Sequence, residues 1–221
     1  MFTRVCRFCL SMVPVLVAVA MMLPVLSSGP TALRGTVAEP GEFSPPPPLA
    51  VPTELEVRRA LLSPRSIQPL SPAHITPDIL WLARAMYSES KRPQEQELVA
   101  WVIRNRLDTG YLGAESIRDV VLAPFQFSAF RPSHPQAAFH TDLSLLYDEP
   151  GWQRTLALAY FVTHADCSLR PFGPTVRHFI SPQSMPEDQD APEWMADRVP
   201  VEPSRAFELD AERFRFFADV D

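Results

Sequence analysis

The sequence predicts an α+β domain, mainly helical with a small antiparallel β element. Three observations carry this. Between Thr76 and Ala165 apolar residues recur at spacings of three and four, the period of a helix with one buried face. A later segment, "TVRHFIS", alternates in the manner of a strand, and the tail "RFRFFADV" reads as a second strand, with a terminal helix as the alternative. The first third of the chain has neither pattern and holds most of a dense run of prolines, so the folded part lies downstream of it.

At the N-terminus Arg4 and Arg7 precede the uncharged apolar run "LSMVPVLVAVAMMLPVL", and the next basic residue is Arg34. Basic residues on one flank alone predict an inside N-terminus with everything downstream exported. Residues 1–26 are therefore read as a signal peptide or membrane anchor, the run at 10–26 lying at the border between the two. No Cys follows the run, which argues against a lipoprotein anchor. Residues 27–73 read as a Pro-rich linker, with "EPGEFSPPPPLAVP" as a polyproline-type spacer and a short helix over Glu54 to Leu62. The folded domain is placed at 74–221.

Within it, Thr76 is a good N-cap, with Pro77 at the first helical position and Asp78 behind it. The helix carries Ile79, Leu82, Ala83 and Met86 on one face. Pro93 opens the next helix, with Glu95 and Glu97 favourable to its dipole and Leu98, Val99, Val102 and Ile103 as its stripe. "ESIRDVVLA" is a short helix, "PFQFSAFRPSHPQAAFH" a loop rich in aromatics, and "GWQRTLALAYFVTHA" another helix.

Composition narrows the partners. The chain has 221 residues, a formal charge of −6, and 25 prolines against 7 glycines. An acidic chain without a basic stripe is not built for nucleic acid. Cys6 and Cys9 fall in the N-terminal segment and leave Cys167 alone, so a processed domain has no intramolecular disulfide. The five histidines, His74, His134, His140, His164 and His178, form no HExxH or comparable pair, and neither a metal nor another cofactor is predicted.

Continuing the first helix's stripe from Met86 by three reaches Glu89. A carboxylate on a half-buried face has its charged form disfavoured and can stay protonated near neutral pH, ready to protonate a leaving oxygen. By periodicity alone, a solvated helix end or a pair with Lys91 or Arg92 is the competing reading. Asn105 steps inward after Leu98 and Val102, to orient Glu89, to meet a substrate amide, or to make a structural hydrogen bond. Gln126 and Ser128 stand among Phe125, Phe127 and Phe130, as in a sugar-binding cleft or as a loop over packed rings. His178 lies on the first strand, as a core, edge or ligand-facing histidine.

Taken together, "LARAMYSES", "VAWVIRNRL", "VVLAPFQFSAF", "GWQRTLALAYFV" and "VRHFISPQSM…APEWMAD" resemble, in order and spacing, the cell wall hydrolases of the SleB/CwlJ (spore-cortex-lytic) type. The resemblance spans about residues 79–197. It implies a lysozyme-like fold acting on peptidoglycan, with the family's acid falling on Glu89. Where the family continues G-E-A-R-G-E this chain reads "SESKRPQE", two residues shorter before "NR", so Glu95 is only a loose counterpart of the second family Glu.

Glycoside hydrolysis ordinarily takes two carboxylates, whereas a lytic transglycosylase needs one, because the muramyl 6-hydroxyl supplies the nucleophile. The expectation is a lytic transglycosylase cutting the MurNAc–GlcNAc bond with Glu89 as acid and base. Asn105, Gln126, Ser128 and His178 are expected to bind substrate, and Phe127, Phe179 and Trp194 to wall the cleft. The alternatives are an N-acetylmuramoyl-L-alanine amidase and a non-catalytic peptidoglycan-binding module. The expected partners are peptidoglycan glycan strands and, if the N-terminal segment is uncleaved, the membrane through residues 10–26. The expected location is periplasmic or cell-envelope.

Overall fold

In this computed structural model the described residues, 50–185, 192–195 and 197–220, form six α-helices and a two-stranded sheet. The helices are α1 (Glu54–Leu62), α2 (Pro77–Glu89), α3 (Pro93–Asp108), α4 (Ile117–Leu122), α5 (Ala137–Asp142) and α6 (Pro150–His164). The strands are β1 (Val176–Ile180) and β2 (Arg215–Ala218). The domain is thus mainly helical with a small antiparallel sheet, as the alternating patterns predict. The hydrophobic run at 10–26 and the linker up to residue 49 lie outside the described residues. Among the described residues no helix is long and apolar enough to cross a membrane.

Helix starts follow their caps. The Thr76 hydroxyl accepts from the Ile79 amide at 3.3 Å with Pro77 at the first position of α2. Glu149 caps α6 by accepting from the Trp152 amide at 2.6 Å. Helix α3 ends at Asp108 with Thr109 as its C-cap, followed by Gly110 at φ 62°, the left-handed conformation that glycine adopts without a Cβ penalty.

Helix α3 is the centre of the fold. It packs against α2, α4, α6 and β1, and every residue from Glu95 to Ile103 is buried. The sequence reading gave it one apolar stripe, but a helix enclosed on all sides must bury its polar residues too, and each then needs a partner. Gln96 donates to the Ser90 carbonyl at 2.7 Å and accepts from Thr155 at 3.2 Å. Arg106 donates from Nε to the Arg177 carbonyl at 2.6 Å. Arg177 falls at the irregularity in the β1–β2 register between Val176 and His178, and a bulge of this kind turns a peptide group out of the ladder.

Two boundaries differ from the sequence reading. The compact body takes in α1 and the segment after it, upstream of residue 74. Helix α1 has a full capping box at Thr53 and Glu56, and Val57, Leu61 and Ile67 join the core. Its nine residues looked like part of the linker because only one short apolar face shows in them. The aromatic loop also contains α5, which the prolines and turn formers around it concealed.

Candidate active site

Glu89 is the last residue of α2 and continues the face on which Leu82, Ala83, Ala85 and Met86 are wholly buried. Ser90 ends the helix in an extended conformation, its amide donating to the Met86 carbonyl at 3.1 Å. The carboxyl is therefore delivered, half-buried, to the edge of the core rather than to its interior or to open surface. There it lines a groove of about 390 Å³.

Among the described residues, α2 contributes Ser88 and Glu89 to this groove. The loop around α5 contributes Ser128, Ala129, His134, Gln136 and His140. Ser181 and Gln183 follow β1, and Arg213 and Phe214 precede β2. Glu89 is the only carboxylate among them. It forms no hydrogen bond or ion pair with the described residues, and burial pushes its carboxyl up from 4.5 to about 7, against the opposing pull of Arg106. A group at that value is both proton donor and, after donation, base near neutral pH.

Other acids near this helix pair have different fates. Glu95 is fully buried and accepts from Arg213 at 3.0 and 3.1 Å and from the Ser90 hydroxyl at 2.5 Å. Burial raises its carboxyl, but the Arg213 and Ser90 hydrogen bonds outweigh that and hold it below the usual range. Glu97 is also fully buried. It accepts from the Trp101 indole at 3.2 Å and from Arg205, yet burial leaves it at about 7. It does not line the groove. Asp119 is engaged with Ser116 at the start of α4.

Of the residues singled out in the sequence, Glu89 and Ser128 share the groove. Asn105 is wholly buried, its amide donating to the Gly173 and Val176 carbonyls at 3.0 and 2.7 Å, so it ties α3 to the β1 segment. Gln126 lies in a separate depression with Tyr111, Leu112 and Phe125. The ring of His178 meets the Tyr111 hydroxyl at 3.0 Å through Nε2, and burial lowers its pKa to about 4. Phe127 is buried beside Phe179 and the Arg106 guanidinium, and Phe179 also meets Phe214 and Phe216 in tilted ring contacts. Trp194 packs on His178 and Phe217. These rings are committed to one another, and of the described Phe, Tyr and Trp side chains Phe214 reaches the groove.

The groove also holds residues the sequence gave no reason to choose. His134 and His140 face each other with ring centroids 6.5 Å apart, and burial, then Lys91 and His134, keep His140 below the ordinary histidine value. Among the described residues no three His, Cys, Asp or Glu side chains gather closely enough to hold a metal ion. Arg213 sits at the head of an alternating Arg–Phe segment that reads as strand, and nothing local marks it as facing Glu89's groove. Comparison with protein-family models, curated proteins and solved structures finds no match for this chain.

Proposed function

We propose that this chain is a peptidoglycan-cleaving enzyme of lysozyme-like fold, acting as a lytic transglycosylase on the MurNAc–GlcNAc bond. One observation carries the reading: a single unpaired carboxyl, raised to about 7, lines a polar groove that has no second carboxylate among the described residues. The resemblance of the "YSE" segment to the cell wall hydrolases gives that acid its substrate class.

Protonated Glu89 donates its proton to the glycosidic oxygen as the bond from that oxygen to the muramyl anomeric carbon breaks. The resulting carboxylate then takes the proton of the muramyl 6-hydroxyl while that oxygen closes onto the anomeric carbon. The products are a 1,6-anhydro-muramyl end and a free hydroxyl on the departing strand, with Glu89 protonated again. No water and no second acid are consumed. Ser128, Gln136 and Gln183 offer donors and acceptors to sugar hydroxyls and acetamido groups. An exported enzyme, held at the membrane by residues 10–26 if that segment is retained, meets this substrate where it works.

Mass spectrometry of muropeptides released from purified sacculi tests the proposal. Anhydro-muramyl ends from the wild type, and none from Glu89→Gln, are expected. Reducing ends would require a second carboxylate, free stem peptides would identify an amidase, and no release from several sacculus types would favour a binding module.

A further inference from the structure

Arg213 stands in the groove in an unusual manner. Two of its guanidinium nitrogens, Nε and Nη2, donate to the two oxygens of Glu95, a residue with no exposure at all. The same carboxylate takes hydrogen bonds from Ser90 at 2.5 Å and Arg92 at 3.3 Å, and Ser90 in turn accepts from the Arg92 amide at 3.0 Å. This clamp fixes the plane of the guanidinium. Its third nitrogen, Nη1, makes no hydrogen bond with the described residues, while the side chain stays 30% exposed and lines the groove. A bidentate Arg–carboxylate fork is a rigid device, and one that leaves a guanidinium nitrogen unused on a side chain lining a groove is suited to meet an acceptor there.

The surroundings choose the acceptor. Besides Glu89, the other titratable groups lining the groove are His134 and His140. Lys91 and Arg106 bear on these groups from outside the lining, at His140 and Glu89 respectively. Arg213 is therefore the fixed positive charge of the described lining.

We propose that Arg213 is a specificity-determining residue that binds a carboxylate carried by the substrate, and that Glu95 is its positioning residue. This rests on the glycan-cleaving reading of the groove and adds a selectivity to it: strands bearing carboxylates on their muramyl residues bind in preference to neutral N-acetylglucosamine oligomers. The carboxylate has two sources. In strands stripped of peptide it is the lactyl group, and in intact strands, where the lactyl group is an amide, it belongs to the stem peptide.

The test uses the full chain carrying Glu89→Gln, so that ligands survive, with three probes of matched length: peptide-free muramyl strands, peptide-bearing strands and N-acetylglucosamine oligomers. Arg213→Gln is expected to weaken binding of one or both carboxylate-bearing probes by about tenfold, the size of a lost charge-assisted hydrogen bond, and to leave the neutral probe unchanged. The probe that responds identifies the source. Because Arg213→Gln leaves Glu95 buried without its fork, a second measurement keeps Arg213 intact. Amidating the ligand carboxylates must produce the same loss, and Glu95→Gln must reduce selectivity without reducing neutral binding. Equal weakening of all three probes, no weakening of any, or indifference to amidation overturns the inference. So does failure of every probe to bind. The muropeptide assay on the wild type separately decides whether the groove cleaves glycan.

Discussion

Replacing Glu89 by Gln is expected to stabilise the protein in alkali and to change nothing in acid. The carboxyl titrates at about 7 rather than 4.5 because burial disfavours its charge more than Arg106 favours it. Between those values the unfolded chain has already released a proton that the folded protein still holds. The unfolded state thus binds fewer protons, and stability falls as pH rises through this window. At about 1.36 kcal/mol per pH unit, the gap from 4.5 to about 7 amounts to roughly 3 kcal/mol, lost in full by about pH 8. Glutamine keeps the shape and carries no charge at any pH, so it escapes this loss. Urea unfolding of wild type and variant at pH 4 and pH 8 measures the effect. The curves should coincide at pH 4 and separate at pH 8 by as much as about 3 kcal/mol in favour of the variant. Glycan release should be absent in the variant at both. A variant no more stable than wild type at pH 8 would mean that Glu89 is hydrated like a surface carboxylate, and the case for its acid chemistry would fall with that result.

Three further outcomes follow from the same structure. A chain begun at His74 should lose most of its stability relative to one begun at Leu49. Val57, Leu61 and Ile67 leave the core, at about 1.5–3 kcal/mol each against a total near 5–15; equal melting temperatures would show that α1 is dispensable. Asn105→Leu takes the side-chain donor from the Val176 carbonyl and one of two donors from the Gly173 carbonyl, which keeps the Val176 amide, and should cost about 1–3 kcal/mol in urea, with the activity of the folded fraction kept; a selective loss of kcat would return Asn105 to the substrate. His178 holds off protonation until about pH 4, whereas the unfolded residue gains its proton near 6.5, so stability should drop as pH falls through that interval. His178→Phe should flatten that limb, and an unchanged slope would contradict the burial of the ring.

What was legible in the sequence was what local chemistry encodes. Thr76, Pro77 and Pro93 announce helix starts because capping and the proline ring act within one turn. Glu89 was legible because it continues a face already marked by Leu82 and Met86. The burial of Glu95, Gln96 and Glu97 was not legible. In a helix enclosed on all sides their partners come from residues as distant as Thr155, Arg205 and Arg213, and no spacing along α3 encodes that. The same holds for the groove. Gln126 and Ser128 are two positions apart, but the chain turns between them, so one enters the groove and the other a different depression.

The contrast among three glutamates explains why the acid falls where it does. All three are disfavoured as anions by burial, so what differs is the compensation each receives. Glu95 accepts the Arg213 fork and the Ser90 hydroxyl and stays charged. Glu97 has Arg205 and the Trp101 indole, yet one of its oxygens is buried without a partner, and it remains at about 7. Glu89 receives no hydrogen bond from the described residues, and the Arg106 charge acts on it without an ion pair. Arg106 itself is held elsewhere, its Nε engaged by the Arg177 carbonyl and its guanidinium set near the Tyr111 and Phe127 rings. A strong pair at Glu89 would return it to an ordinary carboxylate and remove its proton at neutral pH. The β1 bulge that engages Arg106 is therefore as much a part of the proposed acid chemistry as the helix that carries Glu89. A substitution that freed Arg106 to pair with it would be expected to lower its pKa and move the alkaline limb of any activity profile toward acid.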